Sequence, residues 1–417
     1  MTAMRILFLS SIFPHGTARV TGTFNLELCR ALAAEHDVRV VAPRSFLDVR
    51  RTRGEHRDAD RWVTETTGLT VTHPTYFYTP GFGRAWYGES MWWSVRRHLR
   101  RVTAEFRPEA VVSYWAHPDG EVALRLAQQL GIPSVVIIGG SDVLLLPNDR
   151  RRRAKIQRVL RESSGVMTVS EGLRRAVIDL GTEPSRVHTI YQGVDEQLFF
   201  PGDATAARQR LNLPFDHRLL LWVGRMVDVK GLDTLIAAFD LAHQQQPDLQ
   251  LLLVGDGPLR ASLQEDVQLR GLSEHVAFVG AKSPAELPNW YRASDLVVLS
   301  SRSEGLPNVL REAVACGRPF VSTDVGSVRE IADSQGNAPF AELVPVGDSA
   351  AMSAAIERLL RPEYLAAAQS IPPRSWRDTA HDLVSLLHSL RGEATQSFEA
   401  SGPGGHVENV PHEVTVV

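Results

Sequence analysis

Cysteine is nearly absent. Two occur in 417 residues, Cys29 and Cys316, each among apolar neighbours in a stretch that reads as helix. Two such residues make no disulfide framework, and each reads as a small buried hydrophobe rather than a reactive thiol, which fits a reducing compartment. Long hydrophobic runs are missing too, since no apolar stretch approaches the ~20 residues that cross a bilayer. Met4-Arg5 leads straight into a short strand-like Ile6 to Leu9, without the extended apolar core and cleavage site of a secretory signal. A soluble, cytoplasmic protein is expected. Lysine is the third scarcity: of 45 basic residues only Lys155, Lys230 and Lys282 are lysine, a bias most simply compositional.

What is present suffices for two ordinary domains. With 43% hydrophobic and 22% charged residues, the chain is neither fibrous nor disordered. The net charge of -3 hides a split, because residues 1–190 hold 27 Lys+Arg against 19 Asp+Glu and the remainder 18 against 29. A positive half suits an anionic substrate or an anionic lipid surface, and nothing in it requires nucleic acid.

Short Val/Ile/Leu runs alternate with longer amphipathic stretches, the pattern of parallel strands and crossover helices. Seven strands are expected at 5–10, 37–42, 69–76, 110–115, 134–138, 165–169 and 187–191, with helices such as 22–35 and 120–130 between them. Five more follow at 218–223, 250–254, 275–279, 296–300 and 320–323. The fold class is α/β, as two doubly wound units. Gly and Pro in "YQGVDEQLFFPGD", residues 191–203, mark the joint. The expected domains are 1–194 and 195–372, then a final amphipathic helix within 373–391 and a disordered tail over 392–417, rich in Gly, Pro, Ser and Glu.

In open parallel sheets ligands bind beyond the carboxyl ends of the strands. "GRMVDVKGLDTLIAAF", 224–239, places Arg225 and Lys230 between such a strand end and a helix, an anion site suited to a diphosphate. A solvated surface pair is the competing reading, and the strand-end position with a glycine on each side weighs against it. "GDGP", 255–258, holds Gly255 and Gly257 in a tight turn that brings backbone close to a ligand, and alone it says little. "SRSEGLPNVLREAVACG", 301–317, sets Glu304 in a loop and Glu312 about two turns into a helix whose first turn suits Pro307. Carboxylates accept hydrogen bonds from vicinal hydroxyls, so one can hold a ribose and the other a sugar ring, with helix N–H groups reaching phosphate between them. Either glutamate alone reads as a solvated acid.

These segments resemble the retaining glycosyltransferases of family four. "EGLPNVLREAVACGRPFVSTDVGSVREI", 304–331, matches that family's Glu-x7-Glu signature. "MRILFLSSIFP", "GRMVDVKGLDTLIAAF", "VGDGP" and "HVAFVG" match in order and spacing, so the resemblance runs to about Leu390. It implies the GT-B fold, two Rossmann-like domains facing across a cleft, and transfer of a sugar from a nucleotide-diphosphate sugar to a glycan or lipid-linked glycan with retained configuration. It implies that Arg225 and Lys230 hold the diphosphate, Glu312 the ribose and Glu304 hydroxyls of the donor sugar. Gly305 and backbone N–H groups of Asn308, Val309 and Leu310 reach phosphate or sugar, and the loop Gly16 to Gly22 closes over the donor. The chain departs from the family at Gly139 in "IIGGSDV", where a donor-contacting histidine is usual, and at Gln192, where the linker usually has Asn. His117 in "YWAHPDG" is the acceptor-side candidate, with a structural histidine as the alternative.

No cofactor beyond the donor substrate is expected, and no metal, since no Asp-x-Asp or His cluster accompanies the site. Hydrolysis is disfavoured because both glutamates are occupied with hydroxyls. The rivals are a phosphorylase or sugar-nucleotide epimerase of this fold, and a catalytically silent nucleotide-sugar-binding module. Residues 83–102 mix Trp86, Tyr87, Trp92 and Trp93 with Arg96, Arg97, Arg100 and Arg101, and "DRRRRAKIQR" at 149–158 adds charge. This suits a helix touching anionic lipid at the inner membrane face, or a helix that packs its tryptophans on the sheet.

Overall fold

A computed structural model describes residues 2–19, 21–52, 56–81, 83–333 and 339–400. The N-terminal sheet runs β1 (Arg5–Leu9), β2 (Asp37–Val41), β4 (Thr70–Thr72), β6 (Ala110–Tyr114), β7 (Ser134–Ile138), β8 (Gly165–Thr168) and β9 (Val187–Thr189). Their order is β4-β2-β1-β6-β7-β8-β9 and every pairing is parallel. A separate pair joins β3 (Arg44–Ser45) to β5 (Thr75–Tyr76). The C-terminal sheet contains β10 (Arg218–Val223), β11 (Leu249–Val254), β12 (Val276–Gly280), β13 (Leu296–Leu299), β14 (Phe320–Thr323) and β15 (Ala341–Val344), in the order β12-β11-β10-β13-β14-β15. Winding therefore reverses between β1 and β6 in one sheet and between β10 and β13 in the other. A ligand crevice is expected at each reversal.

Both sheets are covered on both faces, which is why their strands read as unbroken Val/Ile/Leu runs rather than alternating ones. In β6, Val112 and Tyr114 face a core shared with the helices Thr23–Ala33 and Trp376–Ala400. Val111 faces a second core, built with the helix Tyr87–Phe106. In β10, Leu220 and Trp222 face one core while Leu219 and Leu221 face the other.

Three expectations change. The strand expected over 69–76 is broken by His73-Pro74 into β4 and β5, which pair with different partners. An additional edge strand, β15, extends the C-terminal sheet. The last helix runs Trp376–Ala400, so residues 392–400 are helical where a structureless tail was expected, and 401–417 lie outside the described residues.

The chain crosses between the two halves twice, and the crossings lie side by side. Val194 pairs in parallel with Ser375, and its N–H donates to the carbonyl of Arg374 at 2.9 Å. A Cβ on Gly193 would fall 2.0 Å from the Ser375 backbone, so only glycine fits there. Beyond this point Leu383, Val384, Leu386 and Leu387 of the last helix return to the N-terminal core.

Candidate active site

Beyond β10 the chain passes Arg225, turns over Asp228–Lys230, and enters the helix Leu232–Gln245 through Gly231, whose φ of 60° is left-handed. A Cβ on Gly231 would sit 2.2 Å from the Ser300 carbonyl, so the loops after β10 and β13 touch through backbone. The Ser300 hydroxyl donates to the Lys230 carbonyl at 2.9 Å, and the Arg302 N–H to that of Val229 at 2.8 Å. This register brings the Lys230 ammonium 2.6 Å from Glu304 Oε1, which also accepts from Ser301 Oγ at 2.5 Å. Lys230 and Glu304 thus form an ion pair across the winding reversal. Arg225 is exposed, and its guanidinium has no hydrogen bond or ion pair among the described residues.

The other loops brace these two. Gly326, at φ 56°, leaves no room for a Cβ against the Glu304 carbonyl, and the Ser327 N–H donates to that of Gly305 at 3.0 Å. Gly255 and Gly257 make their close approach to the Arg225 loop itself. A Cβ on Gly255 would lie 1.8 Å from the Gly224 carbonyl and one on Gly257 2.4 Å from that of Met226, while Met226 N–H donates to the Asp256 carbonyl at 2.9 Å. The turn expected to approach a ligand also fixes the loop carrying Arg225.

Pro307 is the N-cap residue of the helix Asn308–Ala315, one position outside its first turn. The first N–H groups of this helix, at Asn308, Val309 and Leu310, have no carbonyl four residues back within it, although Leu310 N–H contacts the Pro307 carbonyl at 3.2 Å. Glu312 lies on the same helix and accepts from the phenol of buried Tyr291 at 2.8 Å, and burial raises its pKa above the usual carboxylate range. Neighbouring Arg311 bonds Asn308 Oδ1 at 2.6 Å and the Gln192 carbonyl, and burial lowers its pKa to about 10.

The facing half contributes loops after β1, β6 and β7. Gly22, at φ 71°, starts the helix Thr23–Ala33 with its Cβ position 2.4 Å from the Ile12 carbonyl, so the helix start lies against the segment that follows β1. Asp119 accepts from Ser11 N–H at 2.9 Å and Ser11 Oγ at 2.8 Å, and burial pushes its pKa to about 7. Asp142 accepts from Gly140 N–H at 2.9 Å and Ala116 N–H at 3.2 Å, with burial raising its pKa to about 6. Gly139 lies against the other half, since a Cβ on Gly305 would be 3.7 Å from its carbonyl.

His117 is 1% exposed. Its Nε2 lies 3.1 Å from the Arg84 carbonyl and its Nδ1 3.4 Å from Glu121 Oε2, so the ring is enclosed by protein groups rather than presented to an acceptor. The structural alternative describes its place. The i,i+4 spacing from His117 to Glu121 was the available signal.

Sequence reasoning missed several participants. Ser301, which steadies Glu304, lies inside the quoted motif. Tyr291, which holds Glu312, gave no local signal. Glu330 joins the two halves, its carboxylate accepting from Glu171 N–H at 2.7 Å and Gly172 N–H at 2.9 Å at the start of the helix Glu171–Asp179. Among the described residues no group of three or more His, Cys, Asp or Glu side chains is placed to hold a metal ion. No helix among them is long and apolar enough to cross a membrane.

Residues 217–362 match the family model for glycosyl transferases group 1, and residues 21–198 match that for glycosyltransferase family 4. A Bacillus subtilis glycosyltransferase named for teichuronic acid biosynthesis is 30% identical over 342 residues, covering 79% of this chain and 83% of its own. A D-inositol 3-phosphate glycosyltransferase of Segniliparus rotundus is 30% identical over 307 residues, covering 69% and 67%. Among solved structures, HepE of Anabaena in complex with UDP superposes with a TM-score of 0.66 at 18% identity, covering 95% of this chain and 100% of that one. The same protein was solved with UDP-glucose. The chain belongs to glycosyltransferase family 4, the group 1 glycosyl transferases. Its two parallel-sheet domains form the GT-B fold of that enzyme class.

Proposed function

We propose that the protein transfers a sugar, with retention of configuration and without a metal, from a nucleotide-diphosphate sugar to a glycan or lipid-linked glycan. The observation that carries this is the Lys230–Glu304 pair at the winding reversal, with unpaired Arg225 on the same loop. A diphosphate entering beside Lys230 replaces Glu304 as its counter-ion, which frees the carboxylate for sugar hydroxyls. Arg225 adds the second positive charge, so charge developing on the leaving diphosphate meets two fixed cations. Helix N–H groups at Asn308 to Leu310 meet the phosphate oxygens, and Glu312 takes the ribose. The acceptor hydroxyl attacks on the leaving-group face and passes its proton to a phosphate oxygen. HepE's complexes with UDP and UDP-glucose support a donor of this chemistry on this fold.

Thermal shift with UDP-, GDP-, ADP- and TDP-sugars, followed by turnover of the stabilising donor with an acceptor panel, tests the reading. Binding with product whose anomeric configuration is unchanged, insensitive to EDTA, is expected. Inversion, or activity lost to EDTA, overturns the mechanism. Binding without turnover on any acceptor favours the silent-module alternative, which Gly139 keeps open.

A peripheral membrane site at the inner face belongs to the same proposal. Trp92 is 6% exposed and packs inward, whereas Trp93 at 61% and Trp86 at 59% face outward. Arg96 stacks 4.0 Å over the Trp93 ring, and Arg97, Arg100 and Arg101 on the same helix are exposed, while Lys155 near Trp86 is paired with Glu89 and Glu121. The tryptophans thus divide between sheet packing and an aromatic-basic surface suited to anionic headgroups. Co-sedimentation with phosphatidylglycerol vesicles but not phosphatidylcholine vesicles, lost in W86A/W93A, is expected. Equal recovery with both compositions removes this part of the proposal.

A further inference from the structure

Tyr114 ends β6 at the winding reversal of the N-terminal sheet. Its ring packs on Phe24, with centroids 4.8 Å apart, and is buried. Its hydroxyl makes no hydrogen bond to another described residue, which leaves it free to meet a ligand. The hydroxyl occupies the space a side chain at position 139 would need. A Cβ there would lie 2.1 Å from the Tyr114 oxygen and 2.6 Å from Cζ, so Gly139 is the residue that lets Tyr114 stand where it does.

That place faces the other half of the molecule. The Gly139 carbonyl lies against Gly305, directly after Glu304, and Arg311 of the same half is near enough for its charge to act on the phenol. Glu304, taken above to meet the donor's sugar hydroxyls, directly precedes Gly305, so on that reading the part of the donor nearest Tyr114 is its sugar ring.

We propose that Tyr114 is a specificity-determining residue whose hydroxyl donates a hydrogen bond to a hydroxyl of the donor's sugar. This rests on the donor reading given above. Burial and the nearby Asp142 carboxylate hold the phenol neutral well beyond the physiological range, so it is a donor at working pH.

Tyr114→Phe removes only the unpaired oxygen and leaves the packing intact. Calorimetry with UDP-glucose against UDP, and with GDP-mannose against GDP, reads the effect on wild type and variant. For whichever pair binds wild type, the nucleotide sugar should weaken roughly three- to tenfold in the variant, the range of one neutral hydrogen bond. Affinity for the free diphosphate and the unliganded melting temperature should stay unchanged. Unaltered nucleotide-sugar affinity, or an equal loss for both members of the pair, overturns the proposal. Gly139→Ala forces the ring aside and should give the same selective loss. If that variant does not fold, Tyr114→Phe still decides. Wild type that binds neither nucleotide sugars nor diphosphates sinks the donor reading itself, and this proposal with it.

Discussion

In the C-terminal half the loops after β10, β11, β13 and β14 meet through backbone, at Gly231 on Ser300, Gly255 on Gly224 and Gly326 on Glu304. In the N-terminal half the loops after β1, β6 and β7 are tied by two buried carboxylates, Asp119 reaching Ser11 and Asp142 reaching Ala116 and Gly140. Both devices hold loops at a winding reversal. Their physics differs. Backbone contacts through glycine are steric and indifferent to pH, so Lys230 and Glu304 are held by a frame that no titration loosens. Carboxylate ties carry a desolvation cost that depends on protonation. The half with the Lys230–Glu304 pair is locked sterically, and the half that faces it is locked by groups whose state follows the solution.

The comparison breaks most severely at Gly255. Gly255→Ala puts a methyl 1.8 Å from the Gly224 carbonyl at a φ of 142°, and should destabilise the protein by about 3 kcal/mol or more in denaturant titration, with loss of donor binding. A change under about 1 kcal/mol would show that the loops are not interlocked. Next comes Lys230→Ala, expected to lower turnover on the order of 10²-fold with little change in melting temperature, because the pair is partly exposed and the frame does not depend on it. A large fall in melting temperature would make the pair structural.

The smallest effect sharpens the contrast through pH. The folded protein keeps the Asp119 proton up to about pH 7, whereas the unfolded chain releases it near the ordinary value of 3.8. Between these values the folded state binds more protons, so this residue makes stability fall as pH rises, by at most about 1.4 kcal/mol per unit, with no further loss above pH 7. Asp119→Asn should flatten that fall and recover on the order of 1 kcal/mol at pH 7 relative to pH 5, measured by urea unfolding at both. Parallel pH profiles for variant and wild type would refute the carboxylate tie.

The meeting of the Lys230 and Glu304 loops was legible in sequence because its parts are local: a strand, a glycine, a charged residue and a helix start within a dozen positions. β15 escaped because Ala341–Val344 is a short, partly exposed edge strand without an apolar run. The split at His73-Pro74 was visible as a proline and outweighed by the flanking β-branched residues. What stayed hidden depends on distant chain. Tyr114 against Gly139, Tyr291 on Glu312 and Glu330 on the Glu171–Asp179 helix are contacts between segments 21 to 159 residues apart or across adjacent strand ends. His117 misled because the end of a strand is where ligands bind and also where buried side chains fasten the next helix.

The paired crossings at Val194 and Ser375 put both covalent connections between the halves at one place, fastened by the Val194 N–H bond to the Arg374 carbonyl and by a Gly193 that admits no side chain against Ser375. A joint of two adjacent segments offers one common line for rotation, where a lone linker would leave twist and tilt free as well.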